Sequence, residues 1–213
     1  MAKVPVAGTV KTRLQPFLTA EQCAELAECF LRDTVGKTKS LGYELIIAYS
    51  PIEKLDILLA IMPDEQTFIE QKGATLGEKM FGVFEFAFLN NSDAVVMIGT
   101  DSPTFPSAFI TEAFEKLKES DAVLGETTDG GFYLIGLRKL KKEIFKNVEW
   151  SSPKTFEQTK GNIERVNLKL SLLPTWYDVD TPEDLKRLRN ELDKNPQLAP
   201  KTFKFVQQLQ LSI

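Results

Sequence analysis

The chain has 213 residues, of which 43% are hydrophobic and 26% charged, an ordinary balance for a water-soluble globular protein with a sizeable core. Its net charge of −4 excludes a general nucleic-acid binder. The complete lack of histidine excludes a histidine general base, a Ser–His nucleophile and every histidine-containing metal site, so any metal must be a hard cation held by carboxylates.

The first notable stretch is Gly8-Thr-Val-Lys11-Thr-Arg13-Leu14, which packs two cations, two hydroxyls and a glycine together before any helix has begun. Lys11-Thr12 looks like the end of a P-loop, but Val10 precedes the lysine and Pro5 stands where the first glycine belongs, so that motif is excluded. On an extended backbone Lys11 and Arg13 point the same way. Alone, such a pair reads as a solvated basic loop with no apolar partners, dispensable for folding; a function for it must come from the rest of the chain.

A helix is expected from Thr19, where Thr-Ala-Glu-Gln22 makes a capping box and Cys23, Leu26, Ala27, Phe30, Leu31 and Val35 line one face, with Gly36 and Gly42 flanking its end. Cys23 and Cys29 within it would have Cα atoms about 9 Å apart, too far for a disulfide, and read as small hydrophobes. Residues 44–49 suit a buried strand, and 53–72 a short helix and an edge strand. Residues 77–89 carry Met80, Phe81, Phe84 and Phe88 at helical spacing, as core. The apolar run 94–98 suits a buried parallel strand. A helix capped near Ser107, strands at 122–125 and Phe132–Leu137, a helix over 153–160 and a strand near 166–173 follow. The last strong helix opens at Thr181-Pro-Glu-Asp184, with threonine as N-cap, proline at the first position and acids in the first turn. Alternating strands and helices predict an α/β fold, a mostly parallel twisted sheet flanked by helices in one domain over residues 1–195, with a tail at 196–213. No stretch reaches the roughly 18 apolar residues of a membrane span and no signal peptide is visible, so the expectation is a cytoplasmic, soluble protein with neither membrane nor nucleic-acid partners.

Ligands of open α/β sheets bind beyond the carboxyl ends of the strands. Asp101 follows the 94–98 strand, Asp129 sits in the turn entering Phe132–Leu137, and Asp178 and Asp180 follow the strand near 166–173. Each has a local alternative: Asp101 as the cap of a Ser-Pro turn, Asp129 as a turn former before Gly130-Gly131, Asp180 as an N-cap. Together with Lys11 and Arg13 they describe a site for Mg²⁺ or Mn²⁺ and a di- or triphosphate.

Five strings carry a resemblance: KVPVAGTVKTRL, GTDSP, DGGFYLIGL, the Trp150-Ser151 pair and PTWYDVDTPEDL. The chain resembles a bacterial glycosyltransferase-like family, some members of which are placed in arsenosugar biosynthesis, within the nucleotide-diphospho-sugar transferase (GT-A) superfamily. It is also similar in pattern to molybdenum-cofactor and 2-phospholactate guanylyltransferases. The match is collinear over about nine tenths of the chain. The resemblance implies that Lys3, Gly8, Lys11 and Arg13 hold nucleotide phosphates, that Asp101 and Asp180 hold the metal, and that Asp129, Gly130 and Gly131 face the acceptor or sugar. Asp101, Lys11 and Arg13 would be the catalytic set. The implied partners are a nucleotide or nucleotide-sugar donor and a small-molecule acceptor.

Two departures stand out. The family pattern places an apolar strand before the K-x-P loop, whereas only Met1 and Ala2 precede Lys3; the first strand is expected to be missing, and the reading frame to extend upstream. The GETTDGG segment has Glu126 and two threonines where relatives carry proline and small residues, which would alter the acceptor pocket. The expected function is metal-dependent transfer from a nucleotide donor. The family label tips the expectation to glycosyl transfer from a nucleotide sugar, although the basic loop resembles that of nucleotidyltransferases, which would release pyrophosphate from a nucleoside triphosphate. A nucleotide-binding protein without turnover is the alternative from another class.

Overall fold

The structure, a computed structural model, describes residues 1–64 and 67–209. It divides into two compact units: Met1–Glu70 with Thr100–Pro106 and Asp178–Ile213, and Gln71–Gly99 with Ser107–Tyr177.

The first unit is built on a parallel sheet of three strands in the order β1 (Ala2–Lys3), β2 (Ile46–Ser50), β3 (Thr67–Glu70). The first strand is therefore present, as a two-residue stub. Ala2 pairs with Tyr49 and Lys3 with Ser50, and the Val4 N–H extends the ladder to the Ser50 carbonyl at 2.9 Å. Helix α1 (Ala20–Lys39) has the capping box expected at Thr19 and Gln22. It runs through Gly36 rather than stopping there, because the chain turns only at Gly42, whose φ of +76° a side chain would resist. Ala2, Val4, Leu31, Val35, Ile47, Tyr49 and Leu58 form a core between strand and helix. Each large aliphatic among them contributes about 1.5–3 kcal/mol by leaving water. The short helix α2 is Leu55–Ile61, and β3 lies at the sheet edge as expected.

Helix α6 (Pro182–Lys194) belongs to this unit, as does α7 (Pro200–Gln208), which lies within the expected tail. The buried Asp33 of α1 accepts from the Lys201 N–H at 3.1 Å and the Thr202 N–H at 2.8 Å, capping α7 where no residue of its own does so. Phe205 and Val206 are buried behind that cap.

The second unit carries helices α3 (Leu76–Leu89), α4 (Ala108–Leu117) and α5 (Thr155–Arg165), and a sheet in the order β4 (Val95–Ile98), β6 (Phe132–Leu137), β5 (Ala122–Thr127), β7 (Leu170–Trp176). β5 and β7 are parallel, while β6 runs antiparallel to both of its neighbours. The expectation of a parallel β4 thus fails in this sheet: its partner is β6, the second strand of the β5–β6 hairpin, and an apolar run reports burial but not strand direction. β7 begins later than expected and contains Pro174, tolerated because β7 is an edge strand. Phe84 stacks on Phe88 at 6.4 Å between centroids and meets Phe145 at 6.0 Å, so the aromatic face of α3 is core, as its spacing predicts.

Candidate active site

The basic loop leaves β1 at Lys3 and is held by its own backbone. The Val6 carbonyl accepts from the Thr9 N–H at 3.1 Å and the Thr9 hydroxyl at 2.9 Å, and Gly8 turns the chain at φ +81°. Val10 and Leu14 are buried, so the loop has apolar anchors that the charge pattern hid. Between them Lys11 adopts a left-handed backbone, φ +48° and ψ +37°, uncommon for a residue with a side chain, before a 3-10 turn at Thr12–Leu14. The Lys11 carbonyl accepts from the Cys23 thiol at 3.4 Å.

This turn drives the Lys11 side chain inward. Only 4% of it is exposed, and its ammonium stands 5.2 Å from the centroid of the Phe30 ring. All three of its N–H groups find oxygen: a short contact to Asp101 Oδ1, the Val179 carbonyl at 2.9 Å and Asp180 Oδ1 at 3.2 Å. Desolvation alone would lower the Lys11 pKa, but the two carboxylates outweigh it and raise it above the ordinary lysine value. Desolvation likewise pushes Asp101 up, and Lys11 more than reverses this, holding its carboxyl below the usual range. The carboxylates themselves stay accessible, with side-chain exposures of 52% for Asp101 and 37% for Asp180. The result is a cradle of three oxygens around one cation, with its acidic rim open to solvent. Lys11 is a buried structural group as well as a charged one, which corrects the expectation of a dispensable loop residue.

Two loops supply those acids, and they are stitched to each other. The Val179 N–H donates to the Asp101 carbonyl at 2.9 Å, and the Ser102 hydroxyl donates to Asp178 Oδ1 at 2.5 Å. Asp178 thus faces Ser102, not Lys11. Thr181 caps α6 with Asp184 in a capping box, so Asp180 has no capping duty and its carboxylate is turned to Lys11 and Arg13. The Asp101 loop is also gripped from α1. The half-buried Lys37 ammonium donates to the Pro103 carbonyl at 2.8 Å and the Phe105 carbonyl at 2.7 Å, and lies 5.0 Å from the Phe105 ring centroid. Neither Lys37 nor the Val179 carbonyl stood out in the sequence. Lysine on a helix reads as solvated surface, and a backbone oxygen leaves no sequence mark.

Arg13 is 66% exposed, with one nitrogen 3.4 Å from Asp180 Oδ2, and Lys3 reaches the Thr9 carbonyl at 3.4 Å. Both are therefore weakly engaged within the protein. Among the described residues no group of three or more Cys, Asp or Glu side chains converges for a metal, so the oxygen donors here are two carboxylates and one carbonyl.

The Asp129-Gly130-Gly131 turn lies in the second unit. Asp129 Oδ1 accepts from the Thr127 hydroxyl at 2.6 Å and the Gly131 N–H at 3.0 Å, closing its own turn. Gly130, at φ +86°, is pressed by the chain itself: a Cβ there would lie 2.2 Å from the Pro153 carbonyl oxygen. Backbone packing thus gives this glycine a reason to be present without invoking a ligand.

Comparison with known proteins places this geometry. A crystal structure from Desulfovibrio desulfuricans, described as a candidate nucleotide-diphospho-sugar transferase, superposes with a TM-score of 0.92 at 30% identity, covering 97% of this chain and 91% of that one. The 2-phospho-L-lactate guanylyltransferase of Methanocaldococcus infernus is 26% identical over 181 residues, 84% of this chain and 78% of its own. Molybdopterin-guanine dinucleotide biosynthesis protein A of Archaeoglobus fulgidus, at 14% identity and a TM-score of 0.54 over 91% of this chain and all of its own, shares the fold. The resemblance to 2-phospholactate guanylyltransferases seen in the sequence is thereby met, and that to the molybdenum-cofactor enzymes at the level of the fold. Among the described residues no helix is long and apolar enough to cross a membrane. A family profile described as "uncharacterized protein conserved in bacteria" (DUF2064) matches residues 34–152, more than half of the chain and inclusive of Asp101. The chain is a transferase of the nucleotide-diphospho-sugar transferase fold and belongs to the DUF2064 family.

Proposed function

We propose that the protein is a divalent-metal-dependent nucleotidyltransferase, joining a nucleoside monophosphate from a triphosphate donor to a small-molecule acceptor. The observation that carries this is the convergence of Asp101, Asp180 and the Val179 carbonyl on one cation position, with Lys11 in it and Arg13 beside it. Hard oxygen donors spanning a single cation suit Mg²⁺ or Mn²⁺, whose remaining positions phosphates and water fill. Asp101 and Asp180 would hold the ion, which would neutralise phosphate charge as the bond breaks. Arg13, exposed and loosely paired, is available to grip phosphate oxygens with two N–H groups at once. Lys3 and Lys11 add positive charge on the same loop.

In this reaction an acceptor oxygen attacks the α-phosphorus, the bond to the bridging oxygen of the β-phosphate breaks, and pyrophosphate leaves with the electron pair. The acceptor proton passes to solvent. Cations are needed most where the pyrophosphate charge appears, which is the role the basic loop is suited to. The guanylyltransferase relative favours this chemistry and makes GTP the first donor to test.

Glycosyl transfer is the second reading, favoured by the description of the D. desulfuricans protein. There the acceptor attacks the sugar carbon and a nucleoside diphosphate leaves. The two are separated by product. Incubation with nucleoside triphosphates or nucleotide sugars, acceptor extracts and Mn²⁺ should release pyrophosphate and no nucleoside diphosphate. Release of nucleoside diphosphate from a nucleotide sugar would establish the glycosyl reading. Metal-dependent nucleotide binding with neither product from any acceptor would mark a binding protein.

A further inference from the structure

We propose that Lys11 is a tethered cation that occupies the divalent-metal position in the nucleotide-free protein and must leave it when metal and nucleotide bind; this rests on the metal-dependent reading above. In the family pattern Lys11 is a phosphate ligand. In this structure its ammonium lies inside the oxygen cradle, with a side-chain exposure of 4%. The groups it touches, Asp101 Oδ1, Asp180 Oδ1 and the Val179 carbonyl, are the ones a hard cation would use. An ammonium and a metal ion cannot share that position, since two cations at contact distance repel and each needs the same lone pairs.

The surroundings fit an exchange. The left-handed turn at Lys11 and the Phe30 ring aim the side chain at the acids, so the empty loop is biased towards this arrangement. The carboxylate rims stay exposed at 52% and 37%, giving an ion a path in from solvent. When the carboxylates are taken up by a metal, Lys11 loses two of its three acceptors, and the nearest replacements are the phosphate oxygens arriving with that metal. One side chain thereby keeps the acid pair neutralised while the site is free and adds charge on the phosphates once it is filled. The tether makes bare metal a weak ligand and couples metal binding to nucleotide.

The test is Mn²⁺ binding in the absence of nucleotide, followed by electron paramagnetic resonance of free Mn²⁺ and by thermal melting. Lys11→Met keeps an apolar stem over Phe30 and removes the charge; Lys11→Ala is its companion. Both should bind Mn²⁺ about tenfold or more tightly than the unmodified protein, the opposite of what losing a phosphate ligand alone predicts. Their melting temperatures should rise with Mn²⁺ while that of the unmodified protein barely moves. A variant that folds only with Mn²⁺ present gives the same answer. If variants and unmodified protein bind Mn²⁺ with equal affinity, Lys11 does not compete and the inference fails while metal dependence stands. If none binds Mn²⁺ even with GTP present, the metal-dependent reading itself fails, and this inference with it.

Discussion

The Lys11 ammonium lies 3.2 Å from a carboxylate oxygen of Asp180, although 169 positions separate the two in the chain. Lys11 also bonds to Asp101, 90 positions away. One buried lysine therefore ties the first loop of the protein to both acid-bearing loops. The charges of Lys11, Asp101 and Asp180 constitute one network.

Asp101→Asn keeps the size of the side chain and removes its charge. The variant should lose about 10³-fold or more in turnover, on the order of 4 kcal/mol in the barrier. Steady-state pyrophosphate release measures this, and EDTA should abolish the same signal in the unmodified protein. An active Asp101→Asn protein, or full activity in EDTA, would remove Asp101 from the metal and catalytic assignment.

Arg13 and Lys11 should separate. Arg13→Ala removes an exposed group with one long contact, so the melting temperature should stay within a degree or so, because exposed ion pairs contribute little. Its nucleotide affinity should fall by about tenfold, the scale of a lost charged hydrogen bond. Isothermal titration with GTP and Mn²⁺ reads the second effect and calorimetric melting the first. A large drop in melting temperature with unchanged affinity would make Arg13 structural.

Gly130 and Gly8 provide a matched pair. Both have positive φ, +86° and +81°, yet a Cβ on Gly8 meets nothing within 4 Å, whereas one on Gly130 collides with the Pro153 backbone. Gly8→Ala should cost about 1 kcal/mol of backbone strain, and Gly130→Ala about 3 kcal/mol or more once the collision is added. At this chain length that corresponds to shifts of roughly 2–4 °C and 6 °C or more in melting temperature. Equal melts for the two variants would show that the 130 turn relaxes freely away from Pro153.

Lys37 carries a pH signature. Burial lowers its pKa from the ordinary 10.5 to about 8, against the pull of Asp33 and Glu191. The folded protein thus gives up this proton from about pH 8, while the unfolded chain keeps it until about 10.5. The unfolded state binds more protons in that window, so this group's contribution to stability rises with pH across it. Lys37→Met lacks the effect. The melting temperature of the unmodified protein should therefore rise relative to that of Lys37→Met from about pH 8 to 10.5. A flat difference would mean that the ammonium stays charged against the Pro103 and Phe105 carbonyls throughout.

Features set by neighbours in the chain were legible in the sequence itself. Thr19 and Thr181 each cap a helix through a partner three residues on, and the spacing of Met80, Phe84 and Phe88 reports one buried face. Such patterns need only local geometry and burial, so the α/β class and most elements followed from residue order. What the tertiary structure decided is everything that depends on a distant partner. β4 runs antiparallel to β6 because pairing direction is set by which strand lies alongside, not by an apolar run. Ala2-Lys3 forms a strand because β2 offers it a ladder at Tyr49 and Ser50. Gly130 answers to Pro153, and Lys37 holds a loop 66 positions away. Above all, the family resemblance implies a phosphate partner for Lys11, and only the folded chain puts it between two carboxylates. A charged side chain goes to whichever opposite charge the fold brings within reach, and that distance is not written in the sequence.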